Sequence, residues 1–424
     1  MESKKVYVSE PYLNLDEPLY IDESVAEVTT HSYEPEMGSN LNNNGEIIIT
    51  IENQDTFYFP SKSYLYVKGQ LLKTDDKTYV DTDVITLVNN GIMYLFNRIS
   101  YRLANQEIEL INNPGQASTI KGLLSYPASY NKGLGLNSCW TLDDTIRQNY
   151  IIKKSNPKGY FSFIIPLSHI FGFCEDYKKL VYGMKHTLAL SRANTDHDSI
   201  YRAAAAAAGK VRLDRICWYM PQVIPSDEAK FKLYKSIESK ATYNIGYRYR
   251  QCDMTTVPQS TDFTWQLGAR AAAAKPTWII VAYQTNKSGS QEVNPSTFDH
   301  LNVTNTYVTL NAQRYPNNDL NLNFTQNDYS KIYQMASEFR EIFYGIEKEV
   351  NDFQISPIEF KELFPLYVFD VRKQSERLKN SITDITIRAQ FASNAPVNTE
   401  AYVLIISDRI IKMISDGNKL AIQY

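Results

Sequence analysis

The stretch Phe163-Ile164-Ile165-Pro166-Leu167 and its echo Leu363-Phe364-Pro365-Leu366, about half a chain later, decide how this sequence is read. Each apolar-Pro-Leu step leads, about twenty residues on, into an alternating strand. The first runs on to Thr187-Leu188-Ala189-Leu190, the second to Ile385-Thr386-Ile387-Arg388-Ala389-Gln390-Phe391. The two prolines, Pro166 and Pro365, stand 199 residues apart, close to the size of one β-sandwich with elaborated loops. The spacing predicts two similar β domains in tandem.

Composition agrees with that reading. A chain of 424 residues holds two or three domains of ~100–200 residues, each able to bury a core without disulfide or metal staples. Tyr is unusually frequent at 31 residues and Phe adds 18, and aromatic residues suit pleated, half-buried surfaces, so the expected class is mainly β. A formal charge of −3 provides no broad basic field, which excludes tight generic binding to nucleic acid. Cys139, Cys174, Cys217 and Cys252 lie at least 35 residues apart. That spacing fits neither structural zinc nor a small disulfide framework, and the four read as buried thiols of a reducing compartment. The start, Met1-Glu2-Ser3-Lys4-Lys5-Val6, lacks an apolar signal region, and no apolar run reaches membrane-spanning length. Synthesis in a cytosol is expected, which makes the sequons at Asn286, Asn302 and Asn323 accidental.

Along the chain, residues 1–44 carry nine acids against two lysines and are interrupted by Pro11, Pro18 and Pro35. They read as an extended acidic arm ordered only against a partner or the body of the molecule. Strands follow from Glu46. In Ser63–Leu72, Leu65, Val67 and Leu71 fall on one face and Tyr64, Tyr66, Lys68 and Gln70 on the other, the mark of a half-buried antiparallel strand. A phase slip across Ala104-Asn105-Gln106 reads as a hairpin. Pro114-Gly115 opens a short helix. The alanine blocks Ala203–Ala208 and Ala271–Ala274 interrupt aromatic, polar sequence and carry no chemical reading. The boundary between the halves is placed at residues 195–210, giving a first unit over 45–200 and a second over 201–424, which restarts at Lys210–Met220. The long polar loop Gln284–Asn305 is a candidate outward-facing crown. Tyr329, Ile332, Tyr333, Ala336, Phe339 and Phe343 recur at helical spacing and predict one amphipathic helix packed on a sheet. Ser356-Pro357-Ile358-Glu359 is a capping box that starts a second helix.

Candidate chemistry is weak throughout. His31, His169, His186, His197 and His300 are scattered without metal-ligand spacing. His197-Asp198 sits among turn residues and reads as a solvated loop. Gly209-Lys210 lacks the other elements of a phosphate-binding loop, and Asn317-Asn318-Asp319 with Asn321 reads as an Asx turn. Glu175-Asp176 reads as a charged surface turn, because adjacent carboxylates point apart and Lys178-Lys179 follows. Tyr247-Arg248-Tyr249-Arg250 puts both arginines on one strand face, where pairing with carboxylates across neighbouring strands is favoured over phosphate contact. No residue is assigned a catalytic, cofactor-binding or metal-binding role, and no cofactor is implied.

Longer strings point one way. Phe161-Ser162-Phe163-Ile164-Ile165-Pro166-Leu167-Ser168-His169-Ile170-Phe171-Gly172-Phe173 resembles the segment that closes the first barrel in double jelly-roll major capsid proteins, most of all those of polinton (maverick) elements and adintoviruses. The second half is similar at Leu310-Asn311-Ala312-Gln313-Arg314-Tyr315-Pro316, at Pro365-Leu366-Tyr367-Val368-Phe369-Asp370-Val371 and at Ile405-Ile406-Ser407-Asp408-Arg409. The resemblance implies two tandem eight-stranded antiparallel jelly-roll barrels with a few short helices in loops. It also implies a homotrimer forming a pseudo-hexagonal capsomer, and an icosahedral virion shell around double-stranded DNA. Neighbouring capsomers, penton and minor capsid proteins are the implied partners. A two-domain carbohydrate-binding or adhesion protein is the alternative from another class, since jelly rolls also serve lectins.

Overall fold

Strands form where apolar side chains alternate. In Tyr64–Lys73 the residues Leu65, Val67 and Leu71 are buried while Lys68 faces solvent, so one face of a pleated strand enters a core. The computed structural model describes residues 23–42, 44–53, 55–270, 275–311, 313–347, 350–374, 383–415 and 420–423.

The first half contains β1 (Val25–Tyr33), β2 (Glu46–Ile51), β3 (Tyr64–Lys73), β4 (Phe96–Leu103), β5 (Gln106–Asn112), β6 (Tyr160–Pro166), β7 (His186–Arg192) and β8 (Gly209–Pro225). The second half contains β9 (Thr242–Val257), β10 (Asp262–Arg270), β11 (Lys275–Thr285), β12 (Val303–Leu310), β13 (Gln313–Tyr315), β14 (Tyr367–Asp370), β15 (Thr383–Phe391) and β16 (Thr399–Ser415). Both halves repeat one strand order. The sheets run β1-β8-β3-β6 and β2-β7-β4-β5 in the first half, and β9-β16-β11-β14 and β10-β15-β12-β13 in the second. Each pair of sheets encloses a core by packing inner faces together, and first-to-eighth pairing is the mark of a jelly roll. Shorter strands are added at the margins: Phe57–Tyr58 with Val181–Tyr182, Ile85–Leu87 with Ile200–Arg202, and Leu420–Gln423 on the end of β16.

Four helices matter for the argument: α1 (Pro114–Ser125), α2 (Asp227–Glu238), α3 (Ser330–Tyr344) and α4 (Pro357–Glu362). The expected amphipathic helix is α3, whose Ile332, Ala336, Phe339 and Phe343 are buried. The Phe339 ring meets Trp278 of β11 edge-on at 4.7 Å, which seats the helix on the sheet. The capping box forms at Ser356 and Glu359 as read.

Three expectations need correction. Lys210–Met220 was expected to open the second half, yet Gly209–Pro225 pairs along β3, with Val211 opposite Leu71 and Trp218 opposite Leu65. A bulge between Leu213 and Arg215 shifts the alternation by one residue, so Val211 and Leu213 before it and Ile216, Trp218 and Met220 after it join the core, with Cys217 buried as well. Sheet membership therefore changes after Pro225, in the stretch that carries α2, and not at 195–210. Second, part of the expected arm is a sheet strand: β1 runs antiparallel to β8, with Val28 opposite Val223 and Tyr33 opposite Trp218. Its run of Val, Thr and Tyr without Pro or Gly favours that pairing. Residues 1–22 of the arm and Ala271–Ala274 lie outside the described residues. Third, Pro166 closes β6 whereas Pro365 precedes β14, so the two apolar-Pro-Leu steps flank opposite ends of equivalent strands. The alternating stretches that follow them do fall on equivalent strands, β7 and β15.

Candidate functional site at the seam between the two halves

Charge converges where β9 meets the first half. Arg248 and Arg250 alternate on one strand and turn toward carboxylates, but the partners come from the short helix Gly172–Asp176 of the other half, not from a neighbouring strand. Arg250 pairs with Glu175 and also donates to the carbonyl oxygens of His169 (2.8 Å) and Ile170 (2.9 Å). Arg248 pairs with Asp176, whose Oδ2 also accepts the Arg248 backbone N–H at 2.8 Å. Its guanidinium lies 3.6 Å from the centre of the Phe343 ring, a stacked arrangement that favours arginine. Glu175-Asp176 is thus no surface turn: the two carboxylates sit in the seam because cations of the second half neutralise them there.

Glu109 lies beneath these pairs, on β5, with no exposed surface. Its Oε1 accepts backbone N–H groups of Gly172 (3.1 Å) and Arg250 (2.9 Å), and Oε2 accepts that of Phe173 (3.0 Å). One carboxylate therefore ties a first-half helix to a second-half strand. Burial pushes Glu109 up to about 7, against the opposing pull of Arg250 and the three backbone donors. Gly172 permits this approach: a Cβ there would sit 1.8 Å from the Arg248 carbonyl oxygen.

A lysine completes the cluster. Lys121 of α1 lies 3.4 Å from Glu175 and donates to Ser125 Oγ (2.7 Å) and to the Tyr344 hydroxyl (2.9 Å) at the end of α3. Burial, reinforced by Arg250 and Arg248, lowers Lys121 to about 7, although Glu175 opposes the shift. Burial alone would raise Glu175, but Lys121, Arg250, Arg248 and the Tyr344 hydroxyl, which donates at 2.6 Å, hold it well below the ordinary carboxylate range. The α1–α3 contact continues through Arg340, which donates to the Ser125 carbonyl at 3.1 Å. Gln354 adds bonds to the carbonyls of Gly122 (2.6 Å) and Leu123 (2.9 Å).

A second contact joins the two halves. The long loop Gln284–Asn305, the candidate outward-facing crown, is fastened to the first half. Gln291 accepts from the Gly209 N–H (2.8 Å) and donates to its carbonyl (2.7 Å), and Tyr94 donates to the Pro295 carbonyl at 3.0 Å. Gly209 thus belongs to a strand, where phosphate binding has no loop to use. His197 and Asp198 hold the same loop, meeting the carbonyl oxygen and the N–H of Gly289 at 2.9 and 2.6 Å. The loop carries enough apolar and amide groups, Phe298 and Gln291 among them, to be drawn down by burial.

The remaining candidates are dispersed. Asp319 accepts from Asn305 Nδ2 at 2.7 Å and pairs with Arg314. Burial lowers His169 to about 4 and His186 to about 3, which keeps both rings neutral; His300 stacks on Phe324, and His31 lies on β1. All four cysteines are free and buried. Among the described residues no helix is long and apolar enough to cross a membrane, and no group of His, Cys, Asp and Glu gathers as a metal site. The seam acids escaped the sequence reading because their partners lie up to 169 residues away, and local spacing carries no trace of such a pairing.

Residues 85–411 match the model of the double jelly roll-like domain. The chain belongs to the double jelly roll-like domain family. Solved structures share this double jelly-roll architecture. One is the mavirus major capsid protein, at 12% identity over 100% of this chain and 96% of that one, with a TM-score of 0.51. Another is the Faustovirus major capsid protein, at 7% identity over 95% and 92%, with a TM-score of 0.56. A chain of the Sputnik virophage gives 9% identity over 99% and 92%, also at 0.56. At such identities the likeness is one of fold. No curated protein matches the sequence.

Proposed function

We propose that this chain is the major capsid protein of a virion with a double-stranded DNA genome, a structural subunit and not an enzyme. Three copies form a pseudo-hexagonal capsomer, and capsomers tile an icosahedral shell together with penton and minor capsid proteins. The observation that carries the reading is the head-to-tail seam. β9, the opening strand of the second barrel, is covered by the first barrel, whereas β1, its counterpart, leaves Val25 and Val28 exposed at 45% and 58%. A contact that joins one end of a unit to the other end of the next is heterologous, and when repeated it closes a ring. Six barrels from three copies give a six-edged tile that fills a lattice. The charges of the seam are paired with one another, which supports a holding role over a catalytic one. The contact between copies is expected to be obligate, on the order of 2,000–5,000 Å² and more apolar than a transient interface, with weaker polar contacts between capsomers so that errors dissociate.

The test is the native mass of the purified protein followed by negative-stain microscopy. Particles of three times 48.7 kDa with hexagonal outline, growing into shells, are expected. A monomer that associates only with glycans would replace this reading with the adhesion alternative.

A further inference from the structure

We propose that residues 11–22 dock, within their own copy, in an apolar groove between α2 and the base of the seam. The groove, about 290 Å³, is lined by Phe57, Tyr182, Leu233, Ile237, Tyr243 and Met413, with Lys179 as the charged residue in its wall. It is near the lower size of small-ligand sites, roughly 300 Å³, which suits a few side chains of a peptide and not a folded partner.

The helix that forms one wall is poorly covered. Ile237 is its buried residue, while Phe231 and Leu233 are 70% and 37% exposed. An apolar surface of this kind beside a groove marks a contact that another segment completes. Lys179 lines the groove with Lys178 beside it in sequence, and Lys230 and Lys235 lie on its helix; none of the four has a carboxylate partner among the described residues, while of the helix's three acids Glu228 is taken by Lys232 at 2.6 Å and Asp227 and Glu238 stand at its two ends.

The sequence upstream of β1 has complementary chemistry. Pro11-Tyr12-Leu13-Asn14-Leu15-Asp16-Glu17-Pro18-Leu19-Tyr20-Ile21-Asp22 carries three carboxylates and no cation, with six large apolar or aromatic side chains among them. Its point of departure is also right. Ser24 accepts through its carbonyl from the N–H of Ser226 at 3.0 Å, and Ser226 immediately precedes the first turn of α2. The segment therefore leaves the body of the molecule at one end of the groove's own helix. Twelve extended residues reach ~40 Å, and a twelve-residue helix is ~18 Å long, so the whole groove is within range. Acidic groups over the lysines and Tyr or Leu side chains in the groove remove apolar surface from water and pair the charges in one step. This placement does not depend on shell assembly.

Zero-length carbodiimide coupling of the full chain, read by peptide mass spectrometry, tests it. Links from Asp16, Glu17 or Asp22 to Lys178, Lys179, Lys230 or Lys235 are expected, falling at least ~5-fold in Leu233→Glu, which leaves every lysine in place and adds an opposing charge to the groove wall. Links spread over unrelated surface lysines, or unchanged in Leu233→Glu, overturn the proposal. The copy is identified by co-expressing D16N/E17Q/D22N with K178R/K179R/K230R/K235R, a mixture in which these links form only between copies. Their absence supports docking within one copy, and their appearance overturns it. None of these readouts involves particles, so a failed capsid reading leaves them interpretable.

Discussion

β9 and β1 open their barrels at the same topological position and live in opposite surroundings. β9 buries Ile245, Tyr247, Arg250 and Cys252, and the Tyr247 hydroxyl donates to the Ile108 carbonyl of the first half at 2.7 Å. β1 buries none of its nine residues. Both pair with the last strand of their own barrel, so backbone demands are met equally. What differs is the covering surface. Where another barrel covers the strand, each polar side chain needs a defined partner, because a buried unpaired charge is costly. Where nothing in the chain covers it, Val, Thr and His suffice.

The sharpest way to break this comparison is Arg250→Ala. Glu175 and the carbonyls of His169 and Ile170 lose their donor, and removal of one partner of a buried pair costs ~3–5 kcal/mol. Urea unfolding should show a loss of that size; a change under ~1 kcal/mol would mean that the seam pairs are idle. A second test compares the two cores. His186 of β7 is buried with its Nδ1 2.8 Å from the Tyr101 hydroxyl, while its counterpart strand β15 buries Thr383, Ile385, Ile387, Ala389 and Phe391. Burial depresses His186 to about 3 from 6.5, so as pH falls the unfolded chain takes up the proton first. Its contribution to stability is complete above pH 6.5 and declines toward pH 3. Acid should therefore loosen the first barrel before the second, seen as earlier hydrogen exchange in β7 and β4. His186→Gln should flatten the trend, and equal acid sensitivity of both barrels would refute it. The smallest effect on folding is expected at the open strand. Val28→Asp should change stability by less than ~0.5 kcal/mol yet abolish the proposed trimer on size-exclusion chromatography; an intact trimer would remove β1 from the proposed contact between copies.

Much of the fold was readable because antiparallel strands covered on one face announce themselves by period two. Leu65, Val67 and Leu71 did so, and the phase slip at Ala104-Asn105-Gln106 located the β4–β5 hairpin that the structure contains. β1 was passed over because both its faces are open and polar, so alternation had nothing to record; its Val and Thr content was the signal left unused. The boundary at 195–210 leaned on the alanine block Ala203–Ala208, which records no sheet membership, and the bulge between Leu213 and Arg215 breaks the alternation of β8 just beyond it. The seam was illegible for a different reason. Glu109 falls between the apolar Ile108 and Leu110, so local alternation gives no inward signal for it, and Glu175-Asp176 beside two lysines looked like solvent chemistry. Only the docking of a second barrel reverses those readings.

The absent side chain at Gly172 has a mechanical corollary. At this point main chain from one barrel rests directly on main chain from the other, with no rotatable group between them to let the pair flex there. Under the proposed role, each copy would behave as a stiff plate, and whatever bending a closed container demands would fall on the joints between plates.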